Sequence, residues 1–340
     1  MKNVFVNYGV GVDMSKDSFH GCFSATTEQG NVKVIAQKKF KNNQTGHKQF
    51  KVWIEKNRKN KALNYQILLE VTGVYHEELL FFLHDNKMVA CLELSKRVKK
   101  YLEVLGQKSK TDKLDGKGIA QMACERKFKT WRPASKQTLQ LRTLLRHRKS
   151  LLQSKTRYSN QLHAIEHSAL KSKEVIKSLK KMMKSLEKQI QEIEKIAINL
   201  AKKDEQFFEK ITLIVESVKG LGMLSVLTTV AETNGFEGFE SSKQLVSYAG
   251  YDVVENSSGK YNGKTRISKK GNANLRTTMY MPTLSVIRTK LKPFYDLYLR
   301  LLAKNGGLKK KAMVAVQRKL LVLIYTLWKK NEAFDISYYG

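Results

Sequence analysis

Three runs rich in β-branched and aromatic residues crowd into the first forty positions, and after them strand-like and helix-like runs alternate. That order constrains the fold more than any other feature of the chain. Residues 4–13 are rich in Val, Phe and Tyr and close on Gly11-Val12-Asp13, the pattern of a buried strand. Residues 19–23 and 32–40 read as two more strands of a meander, with a turn at Glu28-Gln29-Gly30. Residues 43–56 place Phe50, Trp53 and Ile54 on one helical face. A strand-length apolar run, YQILLEV at 65–71, carries a single acid, Glu70. A helix over 76–86, a strand over 88–92 and a helix over 112–126 follow. The expected result is an α/β domain covering residues 1–130.

A linker with Trp131 and Pro133 ends that pattern, and long helix begins near Ser135. Ile176, Leu179, Met183, Leu186, Ile190, Ile193, Ala197 and Leu200 are separated by alternating steps of three and four. That seam predicts a coiled coil or a long antiparallel helix pair, and a helical, dimerising middle region over 131–206. Composition changes again near Phe207, which opens a mainly α C-terminal region, 207–340. Within it Val218-Lys219-Gly220-Leu221-Gly222 is the pattern of a helix-hairpin-helix turn, whose glycine amides grip phosphate. An ordinary helix–helix turn would use the same residues.

The chain's 63 Lys and Arg face 30 Asp and Glu, a formal net charge of +33. A compact fold tolerates such self-repulsion when a polyanion neutralises it, which points to nucleic acid. A membrane partner is not expected: no apolar run approaches the ~18 residues a spanning helix needs. The N-terminal MKNVFVNYGVGVDMS also lacks a signal-peptide pattern, so a cytoplasmic, nucleoid-associated location is expected. Cys22, Cys91 and Cys124 have no paired spacing and read as buried free thiols.

In so basic a chain, acids in apolar surroundings need a reason. Asp13 ends the first strand and Glu70 stands near the end of another. Asp112 and Asp115, three apart in one helix, share a face. Any one of them could be a helix cap or a surface charge. Together they form a hard-oxygen donor set suited to Mg²⁺ or Mn²⁺, the cations that assist phosphodiester chemistry.

Gly11-Val-Asp13, Glu70-Val-Thr-Gly-Val-Tyr and Lys110-Thr-Asp112-x-x-Asp115 resemble the signatures of the DEDD transposases of insertion sequences, relatives of the Piv/MooV DNA invertases. Tyr248-Ala-Gly, Ser258-Gly, Arg266-Ile-Ser-Lys-Lys-Gly-Asn and Tyr280-Met-Pro extend the resemblance over nearly the whole chain. It implies an RNase H-like (RuvC-like) N-terminal domain whose DEDD acids are Asp13, Glu70, Asp112 and Asp115. It also implies a C-terminal serine that joins covalently to DNA. Further implications are donor and target DNA as substrates, a structured bridge RNA as guide, and a dimer or tetramer that pairs the acids of one protomer with the serine of another.

Ser257-Ser258-Gly259 precedes a basic run, Lys264-Thr-Arg266-Ile-Ser-Lys269-Lys270-Gly. A serine beside glycine is sterically open, and cations nearby suit a scissile phosphate. Ser258 is the expected nucleophile and Ser257 the runner-up, although a plain Ser/Gly turn has the same composition. Lys110, Lys219, Gly220, Gly222, Lys264, Arg266, Lys269, Lys270 and Arg276 are expected phosphate contacts. His163-Ala-Ile-Glu166-His167 matches an inverted zinc-protease pattern but reads better as a solvated helix face. The competing functions are a junction-resolving nuclease without a serine nucleophile, a nucleic-acid packaging protein, and an actin-like sugar kinase. The last is disfavoured because no glycine-rich phosphate loops are evident.

Overall fold

The first unit is built on β1 (Phe5–Met14), β2 (Ser18–Thr27) and β3 (Val32–Lys41), followed by α1 (Gln44–Asn57), β4 (Tyr65–Val71), α2 (Glu77–Asp85), β5 (Ala90–Leu94), α3 (Ser95–Val104) and α4 (Asp112–Glu125). The computed structural model describes residues 4–339 apart from 72, 107–110, 256, 259–260, 264 and 305. The chain divides into Met1–Pro133 and Ala134–Gly340. In the first unit a five-stranded mixed sheet has the order β3-β2-β1-β4-β5. The β1–β2 and β2–β3 pairs are antiparallel, while β1–β4 and β4–β5 are parallel. Lys33, Lys38, Lys39 and Lys41 on the edge strand β3 oppose pairing with another chain.

Alternation along β1 divides its side chains between two cores. Val10 and Val12 join Phe23, Phe50, Ile54 and Leu80 on the face covered by α1 and α2. Gly9, Gly11 and Asp13 fall on the other face. A Cβ at Gly9 would lie 2.6 Å from the Ala120 carbonyl oxygen, and one at Gly11 would lie 2.2 Å from the Ala120 amide nitrogen. The missing side chains therefore let α4 rest directly on β1. The stripe that α4 presents there is Gly116, Ala120 and Cys124, spaced by one helical repeat. Asp112 lies one repeat earlier on the same stripe, as Asp13 lies one pleat beyond Gly11. The small residues that seat the helix thus also set where its first-turn acids fall.

Gly11→Val is expected to push α4 off the sheet. Backbone lies on the clash side, so no rotamer relieves it, and the destabilisation is expected to reach ~3 kcal/mol or more. Thermal denaturation checks this; an unchanged melting point would mean α4 is not seated by these glycines.

The second unit contains α5 (Lys136–Glu166), α6 (Lys173–Lys202), α7 (Glu205–Ser217), α8 (Met223–Glu232) and α9 (Ser242–Ala249). Four two-residue strands follow: β6 (Val253–Val254), β7 (Ser257–Ser258), β8 (Tyr261–Asn262) and β9 (Arg266–Ile267). The unit closes with α10 (Ala273–Thr278), α11 (Tyr280–Arg288), α12 (Phe294–Lys304) and α13 (Lys309–Lys330). The heptad seam lies on α6, and its partner is α5 of the same chain. Arg148–Glu194 at 2.6 Å, the Lys155–Glu187 pair and Lys180–Glu166 at 3.2 Å fix the pair as antiparallel. Of the two forms the seam allowed, the chain takes the antiparallel helix pair. Residues 131–206 fall mostly in this unit, where Leu141, Leu145, Ala197 and Ala201 share one core with Phe236, Phe294 and Leu320. Glu166 is tied to Lys180, and His163 stacks on His167 with ring centroids 4.2 Å apart on an exposed helix end. Among the described residues no helix is long and apolar enough to cross a membrane.

Candidate active site

The registers of the sheet draw a polar row across its strands. Asp13 faces His20 on β2, and His20 faces Lys39 on β3. One step beyond the Val12–Leu69 pair stand Asp13 and Glu70, and Glu70 pairs with Glu93 on β5. A period of two puts Glu70 on the same face as Leu68, which packs in the core shared with Ile119 and Met122 of α4. Asp13, His20, Lys39, Glu70, Asp112 and Asp115 line one cavity of about 230 Å³. Asp115 is buried, Asp13 and Glu70 are half-buried, and Asp112 is exposed. Both α4 acids lie in the helix's first turn, where the macrodipole favours negative charge, and Thr111 caps that end by accepting from Leu114 N–H.

The donor set of four carboxylates fits a hard divalent cation. Among the described residues, however, no three His, Cys, Asp or Glu side chains are grouped tightly enough to share one ion.

Three neighbours of this cavity escape sequence reasoning. Burial holds the His20 imidazole below its ordinary value; the Asp112 carboxylate opposes that, while Lys39 and Lys113 add to it. Glu93 accepts from the Leu94 N–H at 2.8 Å and lies 3.5 Å from Arg97. Asn42 joins the loops that follow the two acid-bearing strands. Its amide donates to the Ser15, Lys16 and Tyr75 carbonyls at 3.2, 3.3 and 3.0 Å, and its oxygen lies 2.9 Å from the buried His47 Nε2. Their place beside the cavity comes from strand register for His20 and Glu93 and from a contact between loops for Asn42, which no local pattern announces. The three thiols are buried and free, and burial pushes Cys91 and Cys124 to about 11.

In the second unit, Ser257 and Ser258 form an exposed strand paired with Asn262 and Tyr261. Outside them Val253 and Val254 pair with Ile267 and Arg266. The serines therefore ride on short paired strands, in a segment whose composition also allowed a plain Ser/Gly turn. Adjacent strand residues point to opposite faces, so a strand laid on one face of the hairpin meets only one of them. The basic segment after it is stitched to the end of α9. Lys269 N–H donates to the Gly250 carbonyl at 3.1 Å, Asn272 N–H to Tyr248 at 2.7 Å, and Ser268 Oγ to Asp252 at 2.7 Å. Arg266, Lys269 and Lys270 are exposed, whereas Arg276 donates to the Ala249 carbonyl at 2.7 Å. Lys219 is exposed beside Gly220, whose φ of +104° suits glycine, and Gly222 caps α8 with open space around it. Lys110 and Lys264 lie outside the described residues.

Glu232 organises the neighbourhood of α10. It is buried and takes a two-pronged bond from Arg146 at 2.7 and 2.8 Å, with Asn272 at 2.8 Å and Asn274 at 3.1 Å. Burial would raise this carboxyl, but the bonds from Arg146 and Asn272 and the charges of Arg146 and Arg142 outweigh it and hold it low. Arg146→Ala would leave the carboxylate with its two amide donors only. The arginine is itself half in solvent, so the loss is expected near ~2–3 kcal/mol, or about 5–10 °C in melting temperature. Because the folded carboxyl is depressed, this contribution is complete above its ordinary value of 4.5 and lost as pH falls through the lower folded value. Wild type and variant should therefore converge in strong acid; a difference that persists there would place the effect in packing.

Comparison with known proteins now bears on both units. A DEDD-type IS110 profile, described as "Transposase", matches residues 10–168, and the profile "Transposase IS116/IS110/IS902 family" matches residues 213–299. The chain is 23% identical to the pilin gene-inverting protein of Moraxella bovis, over 96% of this chain and 97% of that one. The Moraxella lacunata protein of the same name matches equally. A transposase for insertion sequence element IS1111A from Coxiella burnetii is 30% identical over 35% of this chain and 33% of its own. With transposase profiles matched in both units and pilin gene-inverting relatives aligned along nearly its whole length, the chain is a DNA transposase or recombinase enzyme.

Proposed function

We propose that this enzyme moves a DNA element by cutting and rejoining strands through a serine–DNA intermediate, with Asp13, Glu70, Asp112 and Asp115 as its acid site. The observation that carries the proposal is the single cavity on which all four carboxylates open. The strand order, antiparallel for three strands and then parallel for two, supports reading the first unit as RNase H-like. The four acids would hold Mg²⁺ or Mn²⁺, drawing inward to do so. When bound, such an ion would stabilise charge on the phosphoryl group and favour ionisation of an attacking hydroxyl.

Ser258 Oγ is assigned the attack on the scissile phosphorus. The new O–P bond forms as the bridging ester bond breaks, and the released strand end departs as a hydroxyl. The bond energy stays in the serine phosphodiester, from which a second strand end can reclaim it. Arg266, Lys269 and Lys270 are assigned to the non-bridging oxygens, and the turn with Lys219, Gly220 and Gly222 to phosphates outside the cut. Donor and target DNA, a structured guide RNA and a dimer or tetramer belong to the same proposal, supported by the net charge of +33 and the transposase profile.

The test is recombination of a plasmid carrying the element with its flanks, scored by the joined product. A chelator is expected to stop the reaction and added Mg²⁺ to restore it, while DNA binding falls by orders of magnitude between about 50 and 200 mM salt. Salt-sensitive binding without any joined product, with or without cation, would leave a packaging protein instead.

A further inference from the structure

The base of the serine hairpin borders a second cavity, about 370 Å³, in the C-terminal unit. Four cations line it, Arg266, Lys310, Lys311 and Arg318, and none of its lining residues is acidic. Between the cations the wall is apolar, formed by Ile267, Leu301 and Val314, with Val253 on the rim at 53% exposure. The arrangement follows from α13, where Lys311, Val314, Ala315 and Arg318 recur at steps of three, four and seven and share one face.

The combination of surfaces selects the occupant. A volume of this size suits a small flat group, and an apolar wall ringed by like charges suits a ring attached to an anion. An acidic peptide would satisfy the cations and leave the wall wet. A nucleotide satisfies both, with the base on the wall and its phosphates on the rim. A paired base is enclosed in its stack, so the nucleotide must be unpaired. The start of α13 adds an electrostatic reason: Lys309, Lys310 and Lys311 crowd its positive end, with no acid in the first turn and no side-chain cap at Leu308. Such a cluster opposes the helix dipole until an anion joins it.

We infer that this cavity seats one unpaired nucleotide of a single-stranded nucleic acid, beside the hairpin that carries Ser257 and Ser258. The inference rests on the proposed reading that the chain handles nucleic acid, but it concerns binding and requires no cleavage.

The experiment measures fluorescence anisotropy of the full chain with labelled oligo-dT, oligo-U and a duplex of equal length, over a range of salt. Ala315→Phe fills the cavity, and Val253→Ser removes an exposed apolar rim residue without touching the core. Each is expected to weaken single-strand binding, Ala315→Phe by about tenfold, with duplex binding unmoved. The double change Lys310→Ala and Lys311→Ala is expected to lower the log–log salt slope for single strands by about 1.4, or about 0.7 per lysine. Whichever of oligo-dT and oligo-U loses more affinity on filling identifies the strand that the cavity takes. The inference is overturned if both apolar variants bind single strands as wild type does. It is equally overturned if the lysine changes weaken duplex and single strand alike, which would leave a general basic patch. Should Ala315→Phe lose its helical circular dichroism, Val253→Ser decides alone. These readouts are independent of strand exchange, so failure here and failure of the serine–acid chemistry remain separate results.

Discussion

Asp13→Ala is expected to reduce strand exchange by about 10³-fold or more, with DNA binding changed only a few-fold. Asp13 is positioned by rigid elements: it is next to last in the central strand, on the face that α4 covers, and has His20 and Glu70 beside it on the neighbouring strands. It is half-buried at the mouth of a cavity, so truncating it opens no core void and the melting point should barely move. Asp13→Asn separates charge from shape. The amide keeps the volume and one acceptor but cannot supply a negative oxygen to a cation. The account predicts that Asn is as inactive as Ala. Activity restored by Asn would show that Asp13 is needed for shape or hydrogen bonding alone. Glu70→Gln and Asp115→Asn should behave alike, since all four acids open on the same cavity.

The sequence made much of that cavity legible because the features that place it are local. Asp13 closes an apolar run of strand length, and Asp112 and Asp115 stand three apart in a helical segment; both patterns are visible without a structure. Strand β4 is a short apolar run of seven residues, so Glu70 stands out within it. The features that were missed are of another kind. The hairpin around Ser257 and Ser258 consists of strands of two residues each, Val253–Val254, Ser257–Ser258, Tyr261–Asn262 and Arg266–Ile267, too short for alternation to show. Helix α3 is strongly basic, with only Val98 and Tyr101 buried, and reads as solvated charge. Asn42 and Glu232 act through bonds to partners far along the chain, and neither has a local signature. The heptad seam was legible as a helix face but not as to its partner, because the partner α5 carries a weaker apolar stripe. The phosphate role expected of Arg276 competes with its bond to the Ala249 carbonyl, a contact that appears only after folding.

Ser258→Ala should abolish joined product, a loss of about 10⁴-fold or more, while affinity for DNA and RNA is kept. The side chain is exposed on a two-residue strand, so its removal costs the fold little. Ser257 differs in one physical respect: it points to the opposite face of the hairpin. Ser257→Ala should therefore be the milder change. Equal loss from both would argue that the hairpin's conformation matters rather than one hydroxyl, and the reverse order would move the assignment to Ser257.

The most direct measurement is to trap the protein on element DNA during exchange, digest the complex, and map the modified peptide by mass spectrometry. The account predicts a nucleotide phosphodiester on Ser258, formed by wild type and absent from Asp13→Asn. Full recombination by the Ser257→Ala and Ser258→Ala double variant, with no covalent adduct on any residue, would contradict it and leave a junction-resolving nuclease as the better description.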